Sequence, residues 1–507
     1  MEDEWDMDSI RSMVSKTKGY YARDYSVWLG WNNMRYIIEA SLLHANLLNR
    51  TLVLPSYVYA RACEHNIHTC ADFSEMVNRG DAIGWDEWKI LPIEEQMGWR
   101  VPISVMLDLN RLRHFHPVVT VAEYLQLHDL DLSKELPNGR WGRTEYLQKP
   151  DHPSLFIIPN KDFDHGKYGD LVRVDKLPPP PPGGPSEPTD ITKILLEELK
   201  ASGRHTINID GAKSVLEFQN SKAWGTEAEL ENILEREGWL VLYTFEGPEA
   251  QKTVVFPVKQ FARRELARGL VDDYDKETAH VLLLDSETHD RRPAGDLRFT
   301  TESARKNFAN LILQGVKPLP SIFKAAERVA ERMLEVNGGR MWVAAHMRRG
   351  DFLRWGFQLE YSIRKHLERI KNNIQRGREV LRDMSEKNVS LVTYDVPNVT
   401  PDTPYLRSPP PNSSDKFFIA TDARTEGELK HIRENGGVLI VDLLSPSDRR
   451  LVGWPLLITD VMGILEQVVM SHAHYFCGYH VSSLPGGVLN LRASGGMDPR
   501  TAFIDLS

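Results

Sequence analysis

Residues 341–352 read MWVAAHMRRGDF, an apolar run from Met341 to Met347 that stops abruptly in two arginines, a glycine and an aspartate. A continuous apolar run of this length reads as a strand buried on both faces, as in a parallel sheet covered by helices. Working outward, a long charged helix is expected at about Leu359 to Glu386. Beyond it lie a Pro/Ser/Asn-rich loop, a strand at Phe417–Thr421, a helix at Thr425–Asn435, a strand at Val438–Leu444, a helix at Pro455–Ser471 and a strand at Tyr475–His480. Thr425-x-x-Glu428 has the form of a capping box. Short apolar strands alternating with helices predict an α/β fold with a parallel sheet. In such sheets ligands bind outside the carboxyl ends of the strands, so the polar residues found there are the candidates.

Three strand ends carry chemistry. After the first come His346, Arg348, Arg349 and Asp351. Arg348 offers a planar five-donor fork suited to a diphosphate, and the rival reading is an Arg348–Asp351 ion pair that only holds a turn. Arg349 alternates to the opposite face and reads as structural or solvated. After the second strand stands Asp422, either a helix cap or an acceptor for a base or ribose. The third ends in Gly478-Tyr479-His480-Val481-Ser482-Ser483-Leu484-Pro485-Gly486-Gly487. Its adjacent hydroxyls and backbone N–H groups suit a phosphate, and equally a plain turn. Together, at consecutive strand ends, they point to a phosphorylated ligand.

Toward the N-terminus, residues 1–20 read as a polar leader. A helical pattern follows from Asn33 to Leu48, and strand-like runs are at Thr51–Tyr57, Leu155–Pro159, Trp239–Phe245 and His280–Leu284. Pro178–Pro182 with Gly183-Gly184-Pro185 reads as a stiff surface insertion inside the first domain, near 177–188. No internal repeat is visible.

Composition narrows the classes. The chain has 507 residues, too many for one ordinary domain, with 41% hydrophobic and 26% charged residues as in globular proteins. Its net charge of −9, without a basic block, argues against a nucleic-acid binder. The most apolar stretch, Trp454–Met470, is interrupted by Asp460 and Glu466, so no membrane span is expected. No signal peptide is visible, and whether an anchor precedes Met1 stays open. Cys63 and Cys70 suit a small disulfide loop; zinc held by Cys63, His65, His68 and Cys70, or free thiols, are the alternatives, and Cys477 lies in a strand-like run. Sequons at Asn49, Asn388, Asn398 and Asn412 favour a secretory lumen, three of them in a loop near 387–415. Dinucleotide-binding, Walker and H-E-x-x-H motifs are missing. Two D-x-D strings, Asp129-Leu130-Asp131 and Asp162-Phe163-Asp164, are further candidates for holding a divalent ion.

Gly30-Trp31-Asn32-Asn33, the helix behind it, and LLNRTLVLP (Leu47–Pro55) resemble the N-terminal signature of GDP-fucose protein O-fucosyltransferases, in the style of divergent fungal members. HMRRGDF (His346–Phe352) resembles that family's H-x-R-x-x-D-F segment, and FIATDA (Phe418–Ala423) and Ser482-Ser483-Leu484, after the helix bearing Glu466-Gln467, are similar to its C-terminal motifs. The match spans about a fifth of the chain and leaves roughly 60 to 310 unmatched. The resemblance implies a GT-B architecture of two Rossmann-like domains facing across a cleft. Residues 21–312 would be the acceptor side and 313–507 the donor side. It implies an inverting transfer of fucose from GDP-fucose to a Ser or Thr hydroxyl of a protein, in the endoplasmic reticulum or Golgi lumen, with no metal or other cofactor. Residue by residue, Arg348 grips the diphosphate beside His346 and Asp351. Asp422 contacts the nucleotide, and Ser482, Ser483 and Leu484 lie near the phosphates with Gly30 and Asn32. One branch of the family has a glutamate base where this chain has Leu29. The other has an asparagine, matched by Asn33 or its neighbour Asn32, and an amide can orient groups but not take a proton at neutral pH. Two alternatives remain: a related enzyme with another sugar nucleotide or a glycan acceptor, and a catalytically silent sugar-nucleotide or lectin-like binder.

Overall fold

A computed structural model describes residues 5–86, 89–146, 154–159, 172–179, 189–204, 206–219, 224–245, 255–259, 267–286, 297–357, 360–387, 389–394 and 396–506. Two five-stranded parallel sheets organise the chain. The N-terminal sheet contains β1 (Tyr20–Arg23), β2 (Thr51–Leu54), β3 (Val118–Thr120), β4 (Leu155–Ile158) and β5 (Val281–Leu284), in the order β3-β2-β1-β5-β4. The C-terminal sheet contains β6 (Val343–Met347), β7 (Phe417–Thr421), β8 (Gly437–Val438), β9 (Tyr475–Tyr479) and β10 (Ala502–Asp505), in the order β8-β7-β6-β9-β10. Every neighbouring pair in both is parallel. The α/β expectation of two Rossmann-like sheets holds.

The apolar run of β6 is buried throughout, and its pleat explains why. Val343, Ala345 and Met347 pack on Leu367, Ile370 and Ile374 of a helix at Ile363–Glu386. Trp342 and Ala344 turn the other way, into a core shared with Ile322 and Val329 of the helix Pro320–Val336 and with Val461 and Leu465 of the helix Thr459–Ser471. The order reverses between β6 and β9, so a crevice opens at their carboxyl ends. The corresponding reversal in the N-terminal sheet falls between β1 and β5. The chain leaving β1 leads to Gly30, the N-cap of the helix Trp31–Leu47.

Several expectations are corrected. Residues Met7–Val14 form a helix whose Ile10 and Met13, three apart, are buried against Tyr124 and Leu125, so the leader carries part of the N-terminal core. The apolar run after Val438 turns helical at Ile440–Leu443, because Asp442 accepts the Leu439 N–H and closes the turn. The buried strand expected at Trp239–Phe245 is present as Trp239–Tyr243, paired antiparallel with Val255–Lys259 apart from the main sheets. Pro180–Pro182, Gly183-Gly184-Pro185, Asp162, Asp164 and Asn388 lie outside the described residues. The expected disulfide between Cys63 and Cys70 is formed, with Cα atoms 6.3 Å apart, and it uses both thiols a zinc set would need; Cys477 is free and buried. The loop beside that disulfide pairs with the C-terminal half: the Glu64 N–H donates to Leu457 O (2.7 Å) and the Thr459 N–H to Ala62 O (3.0 Å).

Candidate active site

The crevice between β6 and β9 holds an alternating chain of charge. Arg348 donates to Asp351 Oδ1 at 2.7 Å, and its second terminal nitrogen lies 3.0 Å from Asp422 Oδ2. Asp422 accepts the Arg349 N–H through its other oxygen, at 2.6 Å. Asp351 Oδ2 is shared with Arg61 of the N-terminal half, at 3.0 Å. The quartet Arg61–Asp351–Arg348–Asp422 therefore bridges the two halves. Burial pushes the Asp351 carboxyl up, but Arg348 and Arg61 outweigh it and hold it below the usual carboxylate range. The Arg348 side chain is 27% exposed, at the crevice mouth rather than in the interior. Gly350 makes room for this arrangement: a Cβ there would stand 2.4 Å from Asp422 Oδ2.

Of the rival readings of the sequence, the Arg348 ion pair is found and the Asp422 cap is not. The Arg348–Asp351 ion pair exists, but as one link in the quartet. Asp422 is not the helix cap; Thr425 caps Glu426–Glu434 by accepting the Glu428 N–H. Arg349 is buried and tied to Glu428 (3.2 Å) and Tyr361 O (2.9 Å), a structural role. His346 is buried beside Arg348 and borders a small cavity of about 30 Å³ with His366, Tyr479 and Asp505. Burial, helped by Arg348 and His366, lowers its pKa to about 3, so it is neutral at physiological pH.

Ser482 is the N-cap residue of the helix Ser483–Ser494, makes no side-chain capping bond, and is 9% exposed. The first N–H groups of that helix open at the carboxyl end of β9, an arrangement suited to anions. The serine loop is held from two sides. The Tyr36 hydroxyl donates to Ser483 O (3.3 Å), and Gln467 Nε2 donates to Leu484 O (2.8 Å) and to Asn32 Oδ1 (2.8 Å). Asn32 and Asn33 are thus separated in role: Asn32 serves the loop, while the buried Asn33 Oδ1 has no partner among the described residues. Leu29 is 5% exposed and packs in the core. Asp131 caps a short turn through the Ser133 N–H (2.8 Å), a structural use of that D-x-D string.

Five residues to which sequence reasoning assigned no role, Arg61, Glu64, Arg424, Asp460 and Glu466, lie around the site. Asp460 had registered only as a charge interrupting an apolar stretch. Its carboxylate accepts the Trp31 N–H (3.2 Å) and the Arg61 N–H (2.9 Å), capping the long N-terminal helix from the opposite half. Arg424 reaches Glu64 across the halves at 3.4 Å. Glu466 sits beside them. Burial, with the carboxylates of Glu64 and Asp422, pushes its pKa up to about 8 against the pull of Arg424. A carboxyl that keeps its proton in the fold but releases it near pH 4.5 when unfolded costs stability as pH rises through that window. Glu466→Gln should therefore melt progressively higher than the parent as pH goes from 5 to 8.5. Parallel melting curves across that range would show that Glu466 is not a proton-holding group.

No protein-family model and no curated protein matches the chain. Among solved structures, POFUT1 in complex with GDP is similar at 12% identity over 96% of this chain and 98% of that one, with a TM-score of 0.36. POFUT1 in complex with GDP-fucose gives 12% identity, the same coverages and a TM-score of 0.37. NodZ alpha-1,6-fucosyltransferase soaked with GDP-fucose gives 13% identity over 42% of this chain and 52% of that one, with a TM-score of 0.23.

Proposed function

We propose that this protein is a glycosyltransferase that moves fucose from GDP-fucose to a Ser or Thr hydroxyl of a protein, with inversion, residues 313–507 holding the donor and 21–312 the acceptor. One observation carries it: Arg348 is held between two carboxylates at the switch-point mouth, where an uncapped helix N-terminus and two adjacent serines also lie. In the reaction, the bond from the fucose anomeric carbon to the β-phosphate oxygen breaks as the acceptor oxygen attacks from the opposite face. Arg348, Ser482 and Ser483 donate to the departing diphosphate, and such preorganised donors contribute on the order of 3–4 kcal/mol each. The acceptor hydroxyl loses its proton to water as the new bond forms, with Asn33 positioning that hydroxyl. No side chain needs to act as the base, which accommodates Leu29. Gly30 lets the backbone pass close to the donor side, Asp422 faces the nucleoside, and His346 and Asp351 set the position of Arg348.

The disulfide and the exposed Asn49, Asn398 and Asn412 favour an endoplasmic reticulum or Golgi lumen. Among the described residues no helix is long and apolar enough to cross a membrane. A silent nucleotide-sugar binder is the second reading, favoured by a buried leucine where one branch of the family has its base. Thermal shift tests the leading one. A native-state ligand at about 100 times its Kd adds about 2.7 kcal/mol, so GDP and GDP-fucose should raise the melting temperature while UDP-sugars and NAD do not. Equal stabilisation by UDP-glucose would contradict the donor assignment. Fucosylated product from a mixed Ser/Thr peptide or protein pool would separate enzyme from silent binder.

A further inference from the structure

We propose that Arg61 is a second diphosphate-binding residue, contributed by the N-terminal half, so that the donor site is complete only when both halves meet. The inference rests on the GDP-binding reading above. Arg61 follows the strand Tyr57–Ala60, and its backbone N–H is pinned by Asp460 of the opposite half. Its side chain is one-third exposed and aimed across the crevice at Asp351. Its Nε is buried and has no partner among the described residues, so the guanidinium has donor capacity to spare. It lies beside Gly30, where a Cβ would make only ordinary van der Waals contact with Nε, at 3.6 Å.

One carboxylate group, Asp351, takes a bond from Arg61 through one oxygen and from Arg348 through the other. The two guanidiniums therefore face a common anion from opposite halves. A diphosphate presents more oxygens and more charge than a carboxylate and fits the same two forks bidentately. Asp351 then serves as the resting counter-ion that keeps both cations aligned. Arg354, which pairs with Glu95 of the other half (3.1 Å), has no such shared acceptor among the described residues and is a plain tie between halves.

The test is calorimetric titration of GDP and GMP into the parent, Arg348→Ala, Arg61→Gln and Arg61→Lys, with melting temperatures recorded for each. Arg61→Gln is expected to weaken GDP by about 10–100-fold and GMP by less than about threefold, because the lost fork meets the distal phosphate. Arg61→Lys keeps the charge without the fork and is expected to weaken GDP by about three- to tenfold. It decides the matter if the glutamine variant does not fold. GDP binding unchanged in Arg61→Lys and Arg61→Gln, or GDP and GMP weakened by equal factors, overturns the proposal. If the parent binds GDP, Arg348→Ala does not, and both Arg61 variants bind as the parent does, the Arg61 proposal falls while the donor assignment stands. If the parent does not bind GDP, the donor assignment and this inference fall together.

Discussion

Arg348→Ala should slow GDP release from GDP-fucose by about 10²–10³-fold, while the protein remains folded. In the proposed transfer negative charge grows on the departing diphosphate, and losing one preorganised donor to such charge costs about 2.7–4 kcal/mol of barrier. The fold should tolerate the change because neither carboxylate is stranded. Asp351 keeps Arg61, and Asp422 keeps the Arg349 N–H. Partly exposed ion pairs are worth about 1 kcal/mol or less, so the melting temperature should move little. The check is single-turnover GDP release alongside calorimetric melting. Turnover within threefold of the parent would remove Arg348 from the chemistry.

The largest loss of stability is expected at Arg492. It is 0% exposed and donates to Ser471 O (3.2 Å), Thr501 O (3.1 Å), Thr501 Oγ1 (2.7 Å) and Ala473 O. One guanidinium thus joins the end of the helix Thr459–Ser471 to the segment leading into β10. Methionine fills a similar volume but leaves these buried acceptors unsatisfied, at about 1–3 kcal/mol for each one stranded. Arg492→Met should cost on the order of 3–5 kcal/mol in urea unfolding. The helix it anchors carries Asp460, Glu466 and Gln467, so nucleotide binding should fall with stability. A variant within 1 kcal/mol of the parent would contradict this reading of the bonds.

The parts legible in the sequence were those with local cause. Apolar runs such as Val343–Met347 and Phe417–Thr421 announce buried strands, and the strand-end rule led directly to Arg348, Asp422 and the serine loop. Parts that depend on the two halves meeting were not legible. Nothing local marks Arg61, because its partner Asp351 lies far along the chain, and Asp460 gave no sign that it caps a helix of the other half. Glu466 looked like an interruption in an apolar helix, and only the proximity of Glu64 and Asp422 makes it hold a proton. The polar leader was misread because eight residues are too few to show helical period against dense charge, although Ile10 and Met13 carry the pattern.

The most direct measurement is the structure of the protein with GDP bound. The diphosphate is expected within hydrogen-bond reach of the Arg348 guanidinium and of the Ser482 and Ser483 loop, at the crevice between β6 and β9. GDP seated elsewhere, with Arg348 still clasped only by Asp351 and Asp422, would contradict it.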